Sequence, residues 1–142
     1  MRVLLWAVIP LIVGIAACNG MRGGGGNDAD ALELREWHLV ELNGQAAVPR
    51  DPARRPWLRF DDSKHRVEGS GGCNRTSGPY TVKGSALHFG DLISTKMACI
   101  DTGVGRQEQM LFDALERTDR FDIQRDTLTL QGAFVRLARF VH

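Results

Sequence analysis

Apolar and polar residues alternate with a period of two along a series of short stretches in the last three quarters of the chain. In EWHLVEL (36–42), Trp37, Leu39 and Glu41 fall on one face and His38, Val40 and Leu42 on the other, and Asn43-Gly44 then supplies a strong turn signal. WLRF (57–60) and HRVEGS (65–70) repeat the pattern, as do PYTVKG (79–84) and ALHFGDLIST (86–95), with Lys83-Gly84-Ser85 as a hairpin turn between the last two. RFDIQRD, TLTLQG and FVRLARF alternate again towards the end, joined at Arg125-Asp126 and Gln131-Gly132-Ala133, and predict a closing antiparallel meander. One stretch breaks the rhythm. VGRQEQMLFDALERT (104–118) sets Leu111, Phe112 and Leu115 on one helical stripe, with Val104 and Glu108 beside it. A single amphipathic helix is expected there, its Arg106, Gln107, Gln109 and Asp113 turned outwards. Glu108, at the apolar margin, reads as a snorkelling or helix-terminal residue, with a buried carboxylate as the alternative.

The first residues follow neither rhythm. One charge at Arg2 precedes an apolar run over 3–15 and small residues before Cys18. The run is shorter than the roughly 20 residues a spanning helix needs and is interrupted by Pro10 and Gly14, so residues 1–17 read as an export signal. Ile15-Ala16-Ala17-Cys18 resembles the lipobox of bacterial lipoproteins, in which the cysteine is acylated and becomes the first mature residue. Each buried chain methylene contributes about 0.8 kcal/mol, and two or more chains anchor stably. The expected location is the cell envelope, as an outer membrane lipoprotein facing the periplasm, with the inner membrane as the alternative. Asn19 after the cysteine, where an aspartate would favour inner-membrane retention in enterobacterial lipoproteins, supports the first. Residues 18–33 are glycine-rich and polar and read as a flexible tether, leaving 34–142 as one domain.

Charge narrows the partners. The 18 basic and 17 acidic residues of the whole chain become 17 and 17 once Arg2 leaves with the signal, and this balance argues against nucleic acid. The densest basic cluster, Arg54, Arg55 and Arg59, is flanked by Asp51, Asp61 and Asp62 and reads as a solvated surface.

Five features together resemble the META domain, the family of the heat-shock protein HslJ. They are Trp37 and Leu39 near the domain start, GCNRTSGPY (72–80), STKMAC (94–99), the helix containing EQMLFDAL, and the final LTLQG strand. The family-like positions are Gly72, Asn74, Arg75, Gly78, Tyr80, Thr95 and Met97. The resemblance implies an α+β fold, a small curved antiparallel sheet or partly open β-barrel with one helix packed across it. It also implies a lipoprotein acting in envelope stress tolerance or drug resistance, with no established active site.

Cys73 and Cys99 are the only cysteines left in the domain once Cys18 is lipidated. In an oxidising compartment they are expected to bond to each other. Closing a loop of about 26 residues would stabilise the fold by roughly 3.5 kcal/mol in the chain-entropy model. Gly69, Gly71, Gly72 and Gly78 suit positive φ or close chain approach, Asn74 suits a left-handed or side-chain-bonded turn, and the Tyr80 hydroxyl is available to a backbone partner. Catalytic readings are weaker. No spacing ties His65 or His88 to Cys73 as a base, no C-x-x-C pair exists, and His38, His65, His88 and His142 show no paired metal-ligand spacing. GSGGCNRTSG lacks the G-K-[ST] ending of a phosphate loop and does not lead into a helix. The expectation is a non-catalytic binding module without cofactor or metal, holding an envelope protein or an apolar ligand. Trp37, Leu39, Leu58 and Phe60 are the candidate lining of an apolar cleft beside the helix. An envelope assembly factor with an exposed interaction surface is the alternative.

Overall fold

A computed structural model describes residues 28–33 and 35–142. The signal, the lipidation site Cys18 and residues 18–27 of the expected tether lie outside the described residues. The alternating stretches form strands where the pattern places them: β1 (Glu36–Leu42), β3 (Trp57–Asp61), β4 (Arg66–Ser70), β6 (Ala86–Phe89), β8 (Arg120–Gln124), β9 (Thr127–Gly132) and β10 (Val135–Val141). β5 (Arg75–Lys83) starts four residues earlier than the pattern suggests, inside the glycine-rich segment. Two short strands, β2 (Gln45–Ala46) and β7 (Ile93–Ser94), add to β1 and β5.

The expected open or partly open sheet is a closed barrel. Neighbours run β1-β3-β4-β5-β6-β8-β9-β10, and β10 pairs back with β1 through His38↔Val141, Leu39↔Phe140, Glu41↔Arg139 and Leu42↔Ala138. Eight strands make a ring just wide enough for side chains to fill. Pairing of the first and last strands has no local sequence signature, which is why alternation alone left the sheet open. Each of these strands carries an irregularity. The β1 register slips between Leu39 and Glu41 and the β10 register between Arg136 and Ala138, so both strands bend and their side chains change phase. Trp37 and Leu39 point inwards as expected, but after the slip it is Leu42, not Glu41, that is buried. The seam between β6 and β8 is the thinnest, with one paired position, Ala86↔Arg120, and flanking backbone bonds from Leu87 N to Asp119 O and from Phe121 N to Ser85 O.

A closed wall admits helices to the core only through its ends, and each end has one. α2 (Thr102–Glu116) starts at Asp101, whose carboxylate accepts from the Gly103 and Val104 N–H groups at 2.9 and 3.1 Å. It lies over the end where β4 turns into β5, and Leu111, Ala114 and Leu115 enter the core. Phe112, expected on the same stripe, is only partly buried. Gln107, expected to face water, is buried and exchanges amide hydrogen bonds with the Val48 backbone N–H and carbonyl.

The opposite end is closed by α1 (Asp28–Glu33), a six-residue helix within what the sequence reads as tether. Leu32 is fully buried in the common core, and the Trp37 indole N–H donates to the Leu32 carbonyl at 2.8 Å. One large apolar residue among alanines and acidic residues gives no periodicity to detect. No helix among the described residues is long and apolar enough to cross a membrane.

Candidate functional site

The GCN segment and the TKMAC segment meet at the α2 end. Cys73 and Cys99 form a disulfide with Cα atoms 5.8 Å apart, 26 residues apart in sequence, as expected. Beside it, Asn74 is a buried junction for three chain segments. Its side-chain oxygen accepts from Thr95 Oγ1 at 2.9 Å and from the Met97 N–H at 2.8 Å, and its Nδ2 donates to Glu108 Oε1 at 2.6 Å. Glu108 Oε2 accepts from the backbone N–H groups of Asn74 at 2.6 Å and Cys73 at 3.1 Å. Glu108 is therefore a buried carboxylate rather than a snorkelling one, 5% exposed and held by three N–H donors. Such charge-assisted bonds offset the cost of burying an anion.

The glycines follow from this packing. A Cβ at Gly71 would lie 2.3 Å from Glu108 Cγ, and Gly72 holds φ at +109° facing Val104. The sequence carried a hint of the junction, since Glu108 sits four residues after Val104 and three before Leu111 on the buried stripe. It could not show that the carboxylate's partners are backbone groups 34 and 35 residues away.

The other family-like positions spread outwards from this point. Arg75 is exposed at the start of β5, its backbone N–H donating to Thr95 Oγ1 and its carbonyl accepting from the Thr95 N–H. Gly78 lies opposite Val67 in the β4–β5 ladder. Tyr80 is buried in the barrel, edge-on to Phe60 with ring centroids 5.1 Å apart, and its hydroxyl donates not to the backbone but to Glu33 Oε1 of α1 at 3.2 Å. Burial and the neighbouring carboxylate push the Tyr80 pKa up. Met97 is anchored by its backbone, while its side chain is 62% exposed.

The cleft expected beside the helix is filled. Trp37, Leu39, Leu58 and Phe60 are at most 2% exposed and belong to the core. They pack against Leu111, Leu115 and the inward faces of the other strands, because an eight-stranded ring leaves no gap for them to border.

A concave surface lies instead on the outside of the wall. Trp57 of β3, Glu68 of β4, Thr76 and Ser77 of β5, and Ile93 and Thr95 border a largely apolar groove of about 430 Å³. Ser77 stands opposite both Glu68 and Ile93 in register, so β5 forms its floor. The Arg59 guanidinium lies 5.8 Å over the Trp57 ring and pairs with Glu68 at 3.1 Å. Ile93 is 68% exposed, and Ile100, further along the same segment, is fully exposed. Sequence alternation places Ile93 in a strand, leaves Ile100 unassigned, and gives no sign that a two-residue strand would leave aliphatic side chains outside.

No curated protein matches this chain. Among solved structures, an NMR structure of a protein from Burkholderia xenovorans is 26% identical, with a TM-score of 0.65, covering 99% of this chain and 96% of its own. A second NMR structure is 23% identical with a TM-score of 0.63, covering 79% and 92%. The crystal structure of a DUF4847 family protein from Bacteroides vulgatus is 14% identical with a TM-score of 0.58, covering 80% and 95%. The latter two support the fold alone. The META domain family model matches residues 30–142, taking in the last four residues of α1, every strand of the barrel and the Cys73–Asn74–Glu108 junction, and the chain belongs to the META domain family.

Proposed function

We propose that this protein is a lipid-anchored, non-catalytic interaction module of the bacterial envelope that holds a protein partner against the outer wall of β3, β4, β5 and β7. The observation that carries this reading is the exposed aliphatic segment from Ile93 to Ile100 beside the Trp57 groove. Solvent-facing Ile93, Met97 and Ile100 gain nothing from folding, and the backbone between them is held at Thr95 and Met97 by Asn74 and at Cys99 by the disulfide. A surface fixed in advance loses less conformational entropy when a partner docks. Among the described residues β7 pairs with β5 alone, so its other edge offers backbone groups to an extended segment carrying aliphatic side chains. The barrel interior, being filled, supports no internal ligand. This favours the assembly-factor alternative over a pocket beneath the helix. Anchoring through acylated Cys18 would keep the module at the membrane surface, on the outer membrane by the identity of Asn19. A role in stress tolerance or drug resistance follows from the family resemblance.

Photo-crosslinking from position 93 in intact envelopes tests the reading. Discrete crosslinked proteins are expected, and they should vanish in the Met97→Asp, Ile100→Asp double variant while its melting temperature stays within a few degrees of the parent. Crosslinks that persist in that variant would overturn it. A small apolar ligand in the same groove is the second reading, supported by the groove's size. It predicts a lipid or other small molecule retained in native mass spectra and no protein crosslink.

A further inference from the structure

The wall of β8, β9 and β10 carries a surface of a different kind. A polar trough of about 790 Å³ runs along it, bordered among others by Asp122, Thr129, Gln131, Arg136, Arg139 and the ring of Phe134. Register sets these side chains in rows across the strands: Arg139 opposite Thr129 opposite Asp122, and Arg136 opposite Gln131. Glu41 of the adjoining β1 fixes both arginines, with Oε1 3.1 Å from Arg136 Nε and Oε2 3.1 Å from Arg139. Each guanidinium has five N–H donors, so this pairing orients the groups and leaves donors free.

Phe134 stands at the mouth of the trough. It follows Ala133 in the β9–β10 turn, and the two residues hold φ at +64° and +49°. Two-residue hairpins of this hand favour Asn-Gly, and a bulky residue at positive φ is strained. The Phe134 ring is 94% exposed, so no packing within the chain offsets that strain. Backbone strain of this kind concentrates at ligand clamps and other functional sites.

We infer that this trough binds a neutral saccharide chain, with Phe134 stacking on a sugar face. Donor-only Arg139 and acceptor-only Asp122 share one row on either side of Thr129, and successive hydroxyls, each able to donate and accept, suit both. A phosphate or carboxylate would find Arg136 and Arg139 already paired with Glu41 and would meet Asp122 and Asp126, with Arg125 the remaining basic side chain of the lining, and an apolar molecule would strip water from charged groups without replacing their hydrogen bonds. The saccharide site is on a different wall from the protein-docking groove and stands independently of it.

Saturation-transfer NMR of the full-length chain in a sugar-free detergent tests this. The probes are chitotetraose and maltotetraose, with inorganic phosphate as competitor. Saturable transfer to at least one saccharide is expected, with a Kd on the order of 1 mM or tighter. Phe134→Ala should weaken binding about tenfold or more, and Asp122→Ala should weaken it similarly, while Phe134→Trp should retain it. Both alanine variants alter exposed side chains, and an unchanged thermal transition confirms that they remain folded. Absence of saturable transfer to either saccharide, affinity unchanged in both alanine variants, or displacement by phosphate would each overturn the assignment.

Discussion

The two ends of the barrel are closed by helices that treat a carboxylate in opposite ways. Under α2, Glu108 is buried and answered by three N–H donors, with a disulfide beside it. At α1, Glu33 receives one hydroxyl, from Tyr80, and its pKa is raised, chiefly by desolvation and then by the repulsion of Asp62. One carboxylate organises the chain around it. The other sits where folding disfavours its charge. The difference teaches that partial withdrawal from water does not by itself make an acidic residue structural. The number of donors converging on it decides whether it organises the chain around it.

Substitutions at the two ends sharpen that contrast. Glu108→Ala should have the largest effect, since it strands the backbone N–H groups of Cys73 and Asn74 without an acceptor and takes from the Asn74 amide its shortest bond. We expect a loss of about 3 to 5 kcal/mol in chemical denaturation, with Glu108→Gln in between because it keeps one acceptor oxygen. A cost below about 1 kcal/mol would show that water replaces the carboxylate and that the α2 end is not held by it. Leu32→Ala comes next, at about 2 kcal/mol, the low end for a buried leucine, because a six-residue helix can settle into the space. Hydrogen exchange should show α1 opening in that variant while α2 stays protected.

Glu33→Gln should have the smallest effect and the opposite sign. A carboxyl whose folded pKa lies above its ordinary 4.5 binds its proton more tightly when folded, so ionised Glu33 weakens the fold at neutral pH. Its contribution to stability therefore rises as pH falls through the folded pKa towards 4.5. The glutamine variant should melt slightly higher than the parent at pH 7, and the gap should close on acidification. Asp61 provides a reference of opposite sense. Ser63 and Lys64 hold its pKa down at about 2, so its contribution is present above its ordinary 3.8 and is lost as pH falls towards 2. An acid titration of melting temperature in which Glu33→Gln tracks the parent at every pH would erase the distinction between the two ends.

Much of the wall was legible because a half-buried strand writes its geometry into adjacent residues. Trp37, Leu39, Leu58 and Phe60 alternate as residues on one strand face should, and it is the closure of the ring, invisible locally, that makes them core rather than the lining of a cleft. Val40 shows a second limit. It marks a register slip that reverses the phase of β1, and nothing in EWHLVEL distinguishes a slip from continued alternation. The cysteine pair was read from counting and compartment, and Asn74 was recognised as a turn residue. Its role as a junction depends on Thr95, Met97 and Glu108 arriving from separate parts of the chain. Gln107 was misplaced because its helical position is polar by type, while the Val48 backbone it satisfies comes from an irregular segment. Phe134 looked like the first residue of a strand, and only the backbone angle shows that it is part of the turn.

The pairing of β1 with β10 also governs how the molecule can be made. A chain delivered from its N-terminal end presents β1 first and waits for β10 before the ring can close, with nearly the whole domain already emerged. Until then β1 and β9 keep an unpaired edge, a state prone to joining other chains. Long-range pairing of this kind slows folding to the millisecond-to-second range. Premature termination before Val135 would therefore remove far more than one strand. It would leave Phe140 missing from the core and Leu39 exposed along the open seam, turning a sealed cylinder into a curled sheet with two sticky borders.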